Sequence, residues 1–171
     1  MLADASDGPV LWQTDMVTPA ELSEGATGAD VWSTPTFDAR TNTLYVTTGN
    51  NFNPPVTPTA EAVVALDATT GAFRWVNQRY PSDVFPSPGT PQQDVDYDFG
   101  DSAKIYHLRD GRTVVGAGQK SGIYHVLDAE SGALSISFRL SPAACSAACS
   151  RTPPITTASS SPMGSIGRAT D

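Results

Sequence analysis

An all-β fold built from repeated four-stranded units is what this sequence predicts, and three observations predict it. The first is a cassette written nearly twice, Ala62-Val-Val-Ala-Leu-Asp-Ala-Thr-Thr-Gly-Ala-Phe-Arg-Trp75 and Gly122-Ile-Tyr-His-Val-Leu-Asp-Ala-Glu-Ser-Gly-Ala-Leu134. A worn third copy, Asp4-Ala-Ser-Asp-Gly-Pro-Val-Leu-Trp12, precedes them. Asp4, Asp67 and Asp128 lie 63 and 61 residues apart, each followed four positions later by Gly8, Gly71 and Gly132. The second observation is a run of short β-rich segments separated by turn residues, with no helical period competing. The third is the abundance of Gly and Pro, 14 of each, which suits a turn-rich β protein. A strand-built repeat of this length is the signature of β-propeller blades.

The elements follow in order. Residues 1–12 read as the end of one blade, closing on Trp12. A full blade spans about residues 31–78, with strands at Trp32–Phe37, Thr43–Thr48, Ala62–Leu66 and Ala72–Asn77. The segments Asp38–Asn42, Gly49–Asn51 and Asp67–Gly71 close its hairpins, because Gly, Asn and Asp tolerate unusual backbone angles. A second blade, about residues 100–139, places strands at Ser102–Leu108, Thr113–Gly118, Gly122–Leu127 and Ala133–Phe138. Asp110-Gly111 is a strong hairpin signal. Trp12 and Trp75 end equivalent strands and are expected to pack between neighbouring blades, whereas the third equivalent position is Ile136. Two blades cannot close a ring, so residues 1–140 read as part of a larger propeller.

Composition changes near Leu140. Of the 31 residues from 141 to 171, 21 are Ser, Thr, Ala or Pro, too few apolar groups to offset ordering entropy. This tail is expected to be disordered and foreign to the fold, as a frameshift would make it. Cys145 and Cys149 fall inside it, and their lone Cys-x-x-x-Cys spacing reads as incidental. The net charge of −8 argues against nucleic acid and anionic membrane surfaces as partners. No apolar run approaches the roughly 20 residues needed to span a bilayer. The start, Met-Leu-Ala-Asp-Ala-Ser-Asp-Gly, lacks the basic and apolar regions of a signal peptide, so the chain as written is expected in the cytoplasm.

Several blocks carry a family resemblance: Val31-Trp-Ser-Thr-Pro-Thr-Phe-Asp38, Leu44-Tyr-Val-Thr-Thr-Gly-Asn50, Ala62-Val-Val-Ala-Leu-Asp67, Asp94-Val-Asp-Tyr-Asp-Phe-Gly100 and Gly118-Gln-Lys-Ser-Gly122. Through them residues 1–140 resemble the pyrroloquinoline-quinone (PQQ)-dependent dehydrogenases, the quinoprotein alcohol dehydrogenases, most of all the polyvinyl-alcohol dehydrogenase type. The resemblance implies an eight-bladed ring, with the quinone on its axis beside calcium or a lanthanide. It also implies a periplasmic address, an alcohol substrate, and an electron acceptor such as a cytochrome c. The chain has no Gly-x-Gly-x-x-Gly for a nicotinamide cofactor and no Cys-x-x-Cys-His for haem.

The site residues follow from the resemblance, each beside a plainer reading. Trp32 would stack on the flat quinone, or it is a blade-packing tryptophan like Trp12 and Trp75. Asn50 matches the metal-binding asparagine, although Asn after Gly is also good turn chemistry. Alcohol oxidation needs a base for the hydroxyl proton, and the loop offers Asp94, Asp96 and Asp98. One alignment makes Asp96 the base with Asp98 near the metal, and another makes Asp98 the base. Val95 stands where the family has tryptophan, and three such carboxylates can equally form a solvated loop. Lys120 would stabilise charge on the reduced quinone, or it is a surface lysine at a turn. His107 and His125 match no family site and read as structural. Other metal and cofactor contacts of the family have no counterpart here, so the chain alone is not expected to turn over an alcohol. The alternative is a non-enzymatic propeller of the outer-membrane assembly type, a protein-binding scaffold needing none of these polar residues.

Overall fold

The computed structural model describes residues 2–3, 9–81, 84 and 96–140. Residues 141 to 171 with the two cysteines, the first cassette's Asp4 to Gly8, and Asp94 and Val95 lie outside the described residues. Strands β1 (Leu2–Ala3) and β2 (Val10–Trp12) pair antiparallel. A short helix α1 (Pro19–Ser23) follows, then β3 (Thr27–Gly28). The first four-stranded sheet holds β4 (Thr36–Asp38), β5 (Thr43–Thr47), β7 (Ala62–Asp67) and β8 (Phe73–Gln78), antiparallel in that order. Between β5 and β7, β6 (Asn51–Asn53) pairs with β3. The second sheet is β9 (Lys104–His107), β10 (Thr113–Gly118), β11 (Ile123–Asp128) and β12 (Leu134–Arg139), again in sequential antiparallel order.

Three departures from the sequence reading are local. Gly49–Asn51, expected to close a hairpin, instead opens a longer connection between β5 and β7 in which Asn51 starts β6, held by its pairing with β3. Helix α1 was hidden because it is too short to display a period. Its signal is a capping box, in which Thr18 Oγ1 accepts from Glu21 N–H and Glu21 Oε2 accepts from Thr18 N–H, with Pro19 in the first turn. The innermost strand begins at Thr36 rather than Trp32, which leaves Trp32 on the loop that precedes it.

Strand β7 explains why the sheets stack. Its alternate side chains point to opposite faces. Val63 and Ala65 join Tyr45, Phe99, Ala103, Val115, Ala117 and Leu127 in the core between the two sheets. Ala62, Val64 and Leu66 pack with Val46 on the other face, against Trp12 and Met16 of the preceding segment. A strand buried on both faces reads as a nearly continuous apolar run, as Ala62-Val-Val-Ala-Leu66 does.

The repeated cassette is a docking device. In the two described copies the aspartate side chain accepts amide protons of its own turn: Asp67 Oδ1 from Thr69 and Thr70 N–H, Asp128 Oδ1 from Glu130 and Ser131 N–H. Gly71 and Gly132 close those turns at φ +74° and +71°, where a Cβ is strained. The indole of the preceding blade lies on that glycine. Trp12 Nε1 donates to Ala68 O at 2.9 Å and Trp75 Nε1 to Ala129 O at 3.1 Å. Two residues on, Thr14 Oγ1 donates to Gly71 O at 2.7 Å and Asn77 Nδ2 to Gly132 O at 2.9 Å. Trp12 and Trp75 therefore pack between blades as expected, and Ile136 and Phe138, at the third pair of positions, have no donor to offer.

Candidate active site

Four segments meet at one end of the packed sheets, tied by main-chain hydrogen bonds. Gly49 N–H donates to Asp30 O (2.9 Å), and Ala29 N–H to Asn50 O (2.8 Å), holding the loop of Trp32 against the turn after β5. Phe99 N–H donates to Thr48 O (3.2 Å), and Lys120 N–H to Asp98 O (3.0 Å), which adds the 96–100 segment and the β10–β11 turn. That turn, Gln119 to Gly122, closes through Gly122 N–H to Gln119 O, with Gly122 at φ +78°.

The side chains complete the arrangement. Lys120 Nζ lies 2.8 Å from both Asp96 oxygens. The ammonium also makes an ion pair with Asp98 Oδ1 at 2.8 Å, and it stands 5.4 Å from the centroid of the Trp32 ring, within cation–π range. Trp32 is 54% exposed, unlike the half-buried Trp12 and Trp75, so it takes no part in blade docking. Its ring rests where two glycines leave room: a Cβ on Gly100 would stand 3.0 Å from Trp32 Cη2, and one on Gly49 3.4 Å from Nε1. Asn50 is buried beside Gly49. The structure thus brings Trp32, Asn50, Asp96, Asp98 and Lys120 together.

The two carboxylates differ in setting. Asp98 is buried and Asp96 half-exposed. Burial pushes the Asp98 carboxyl above its ordinary pKa, and the Lys120 ammonium offsets this only in part. For Lys120 burial acts downward, but the hydrogen bonds to Asp96 and Asp98 outweigh it and hold the ammonium above its usual value. Asp98 Oδ1 is buried and faces the Lys120 ammonium, and a carboxylate oxygen is also the kind of donor a hard cation takes. Among the described residues no group of three or more His, Cys, Asp or Glu is arranged to hold a metal; Asn50 and Asp98 by themselves would supply only part of a coordination shell. The exposed indole, its glycine seat and the adjacent ammonium fit a flat anionic ring system.

Gly49 and Gly100, which seat Trp32, went unrecognised in the sequence, although Gly49-Asn50 and Asp98-Phe-Gly100 contain them. His125, which matches no family site, lies directly behind this cluster, against Phe99 and Gln119. His107 is an exposed residue between Arg40 and Thr113, away from it.

Stacked four-stranded antiparallel blades, with these residues at one end of the stack, define a quinoprotein-type β-propeller. The chain belongs to the PQQ family described as the glucose/ethanol/alcohol dehydrogenase β-propeller domain, which it matches over residues 4–167. A polyvinylalcohol dehydrogenase of a Pseudomonas species is 33% identical over 156 residues, covering 81% of this chain and 24% of that protein. The solved quinohemoprotein alcohol dehydrogenase of Comamonas testosteroni superposes with a TM-score of 0.51 at 28% identity, over 67% of this chain and 18% of that one. A europium-containing methanol dehydrogenase shares the fold, with a TM-score of 0.53 at 21% identity, over 66% of this chain and 19% of that one. The chain spans between 16% and 24% of the length of the curated relatives it matches. Among the described residues no helix is long and apolar enough to cross a membrane.

Proposed function

We propose that this chain forms one wall of the cofactor site of a PQQ-dependent alcohol dehydrogenase acting in the periplasm, with a cytochrome c as electron acceptor. Family membership supports the class. The observation that carries the reading is the single ammonium of Lys120 held by Asp96 and Asp98 beside the exposed ring of Trp32. When bound, the quinone supplies the hydride acceptor and a calcium or lanthanide ion the Lewis acid.

The residues then divide the work. Trp32 offers an aromatic face for stacking on its glycine seat. The oxygens of Asn50 and Asp98 would be the ligands this wall gives to the metal. Lys120 would turn its charge from Asp96 to an oxygen of the bound quinone, which would free the Asp96 carboxylate to take the hydroxyl proton of the alcohol. Asp96 is therefore the base, and Asp98, buried and closer to the core, the metal-side carboxylate.

The test is titration of the 171-residue chain with PQQ in calcium, followed by tryptophan fluorescence. Saturable, calcium-dependent quenching that weakens roughly tenfold in Asn50→Ala and Lys120→Ala supports the reading. Calcium-independent or unsaturable quenching, unchanged by both substitutions, would overturn it and favour a protein-binding scaffold.

A further inference from the structure

Lys120 and Asp98 share a neighbour behind them for which the proposed reaction has no use. His125, on β11, is 4% exposed. Its ring meets Phe99, the residue after Asp98, edge to face with centroids 5.8 Å apart. Its Nε2 lies 3.3 Å from Oε1 of Gln119, the residue before Lys120. On the far side, its Nδ1 lies 2.9 Å from Ser137 Oγ on β12. One imidazole therefore touches the flank of each half of the Asp98–Lys120 pair and anchors both to the outermost strand.

We infer that His125 is a positioning residue, holding the Gln119–Gly122 turn and the Asp98–Gly100 segment in the one relation that keeps the Lys120 ammonium on Asp96 and Asp98. The inference rests on the reading of those residues as the reacting site. An amide oxygen only accepts, so Nε2 carries the imidazole proton and donates it to Gln119, while Nδ1 accepts from the Ser137 hydroxyl. The same Gln119 oxygen also accepts from Ser121 Oγ at 2.7 Å, inside the turn that carries Lys120. Gln119 is 4% exposed, so water has little access to replace a lost donor, and a buried polar atom deprived of its partner favours rearrangement. Gln119 Nε2 makes no hydrogen bond, which leaves the bonds at Oε1 to orient the amide. The main-chain bond from Lys120 to Asp98 fixes the backbone there, but the direction of a four-carbon stem depends on how the turn beneath it is set.

The chain contains two lysines, Lys104 and Lys120, so lysine-selective 13Cε labelling gives two reporters. Lys104, on β9 of the same sheet as His125 and paired with Asp101 just before that strand, is the internal control. His125→Phe keeps a ring against Phe99 but removes both polar nitrogens, whereas His125→Gln restores an amide donor near Nε2. In His125→Phe the Lys120 signal is expected to move to the free-lysine position while Lys104 stays, and in His125→Gln both stay. PQQ binding is expected to weaken roughly tenfold in His125→Phe and to recover in His125→Gln. An unmoved Lys120 signal in His125→Phe would overturn the inference. So would Lys104 and Lys120 moving together, or His125→Gln behaving like His125→Phe. Absence of quinone binding by the parent chain would overturn the functional reading alone, because the lysine signals decide the positioning role without it.

Discussion

Gly100 is the residue on which the seat of Trp32 can be tested with one methyl group. Its added Cβ would stand 3.0 Å from Trp32 Cη2, so the ring must shift by a few tenths of an ångström. Gly100→Ala is expected to change Trp32 emission and weaken PQQ quenching, at a folding cost of about 1 kcal/mol read by urea denaturation. His125 makes a second residue-scale prediction. Burial first, and the positive charge of Arg79 second, push its pKa from 6.5 down to about 4. Between those values the unfolded chain binds a proton that the folded chain refuses. Stability is therefore complete above pH 6.5 and falls as pH drops through the window, by at most about 3 kcal/mol. Denaturation at pH 7 and pH 4.5 should show a smaller acid loss in His125→Phe than in the parent. An equal loss would mean that buried carboxylates account for it.

At the scale of the element, the Asp-x-x-x-Gly turn works only with the indole from the preceding blade. Gly132 combines φ +71° with a Cβ position 2.6 Å from Trp75 Cδ2, while Gly111 has φ +88° and nothing within 4 Å. Alanine at Gly111 meets backbone strain alone, about 1 kcal/mol. Alanine at Gly132 adds a collision with a ring held by its own hydrogen bond, for a total of about 3 kcal/mol. Thermal melts of the two variants separate these contributions, and equal losses would contradict the docking account. The cassette was legible because its Asp, Gly and Trp recur at fixed spacing. Helix α1 and the short pair β3–β6 were not legible, since elements of two to five residues are held by local caps and by neighbours rather than by a period.

For the molecule as a whole, the outer strand of the second blade is the open question of packing. Leu134, Ile136 and Phe138 are 43%, 56% and 47% exposed, whereas Trp75, at the position equivalent to Ile136, is covered by the next turn. A contiguous apolar face on a sheet edge promotes association. Sedimentation velocity should therefore show concentration-dependent self-association of the chain, reduced in the double variant Ile136→Ser/Phe138→Ser. Because both side chains are largely exposed, folding stability should change by less than about 0.5 kcal/mol at each. Unchanged association in that variant would place the contact elsewhere.

The sequence alone determined the all-β class, most of the hairpin turns and the equivalence of Trp12 and Trp75, because short β-rich runs and Gly and Asp turn preferences act over a few residues and the cassette recurs nearly unchanged. Only the tertiary structure decided that Trp32 is not a third docking tryptophan. The same holds for the meeting of Asp96, Asp98 and Lys120 at one ammonium, and for His125 lying behind them. Those residues sit up to 93 positions apart, from Trp32 to His125, on loops whose paths are set by how one sheet stacks on the next. Contacts of that range depend on the burial of Val63, Ala65, Val115 and Leu127 between the blades, which no local pattern of Trp, Asp, Lys or His encodes.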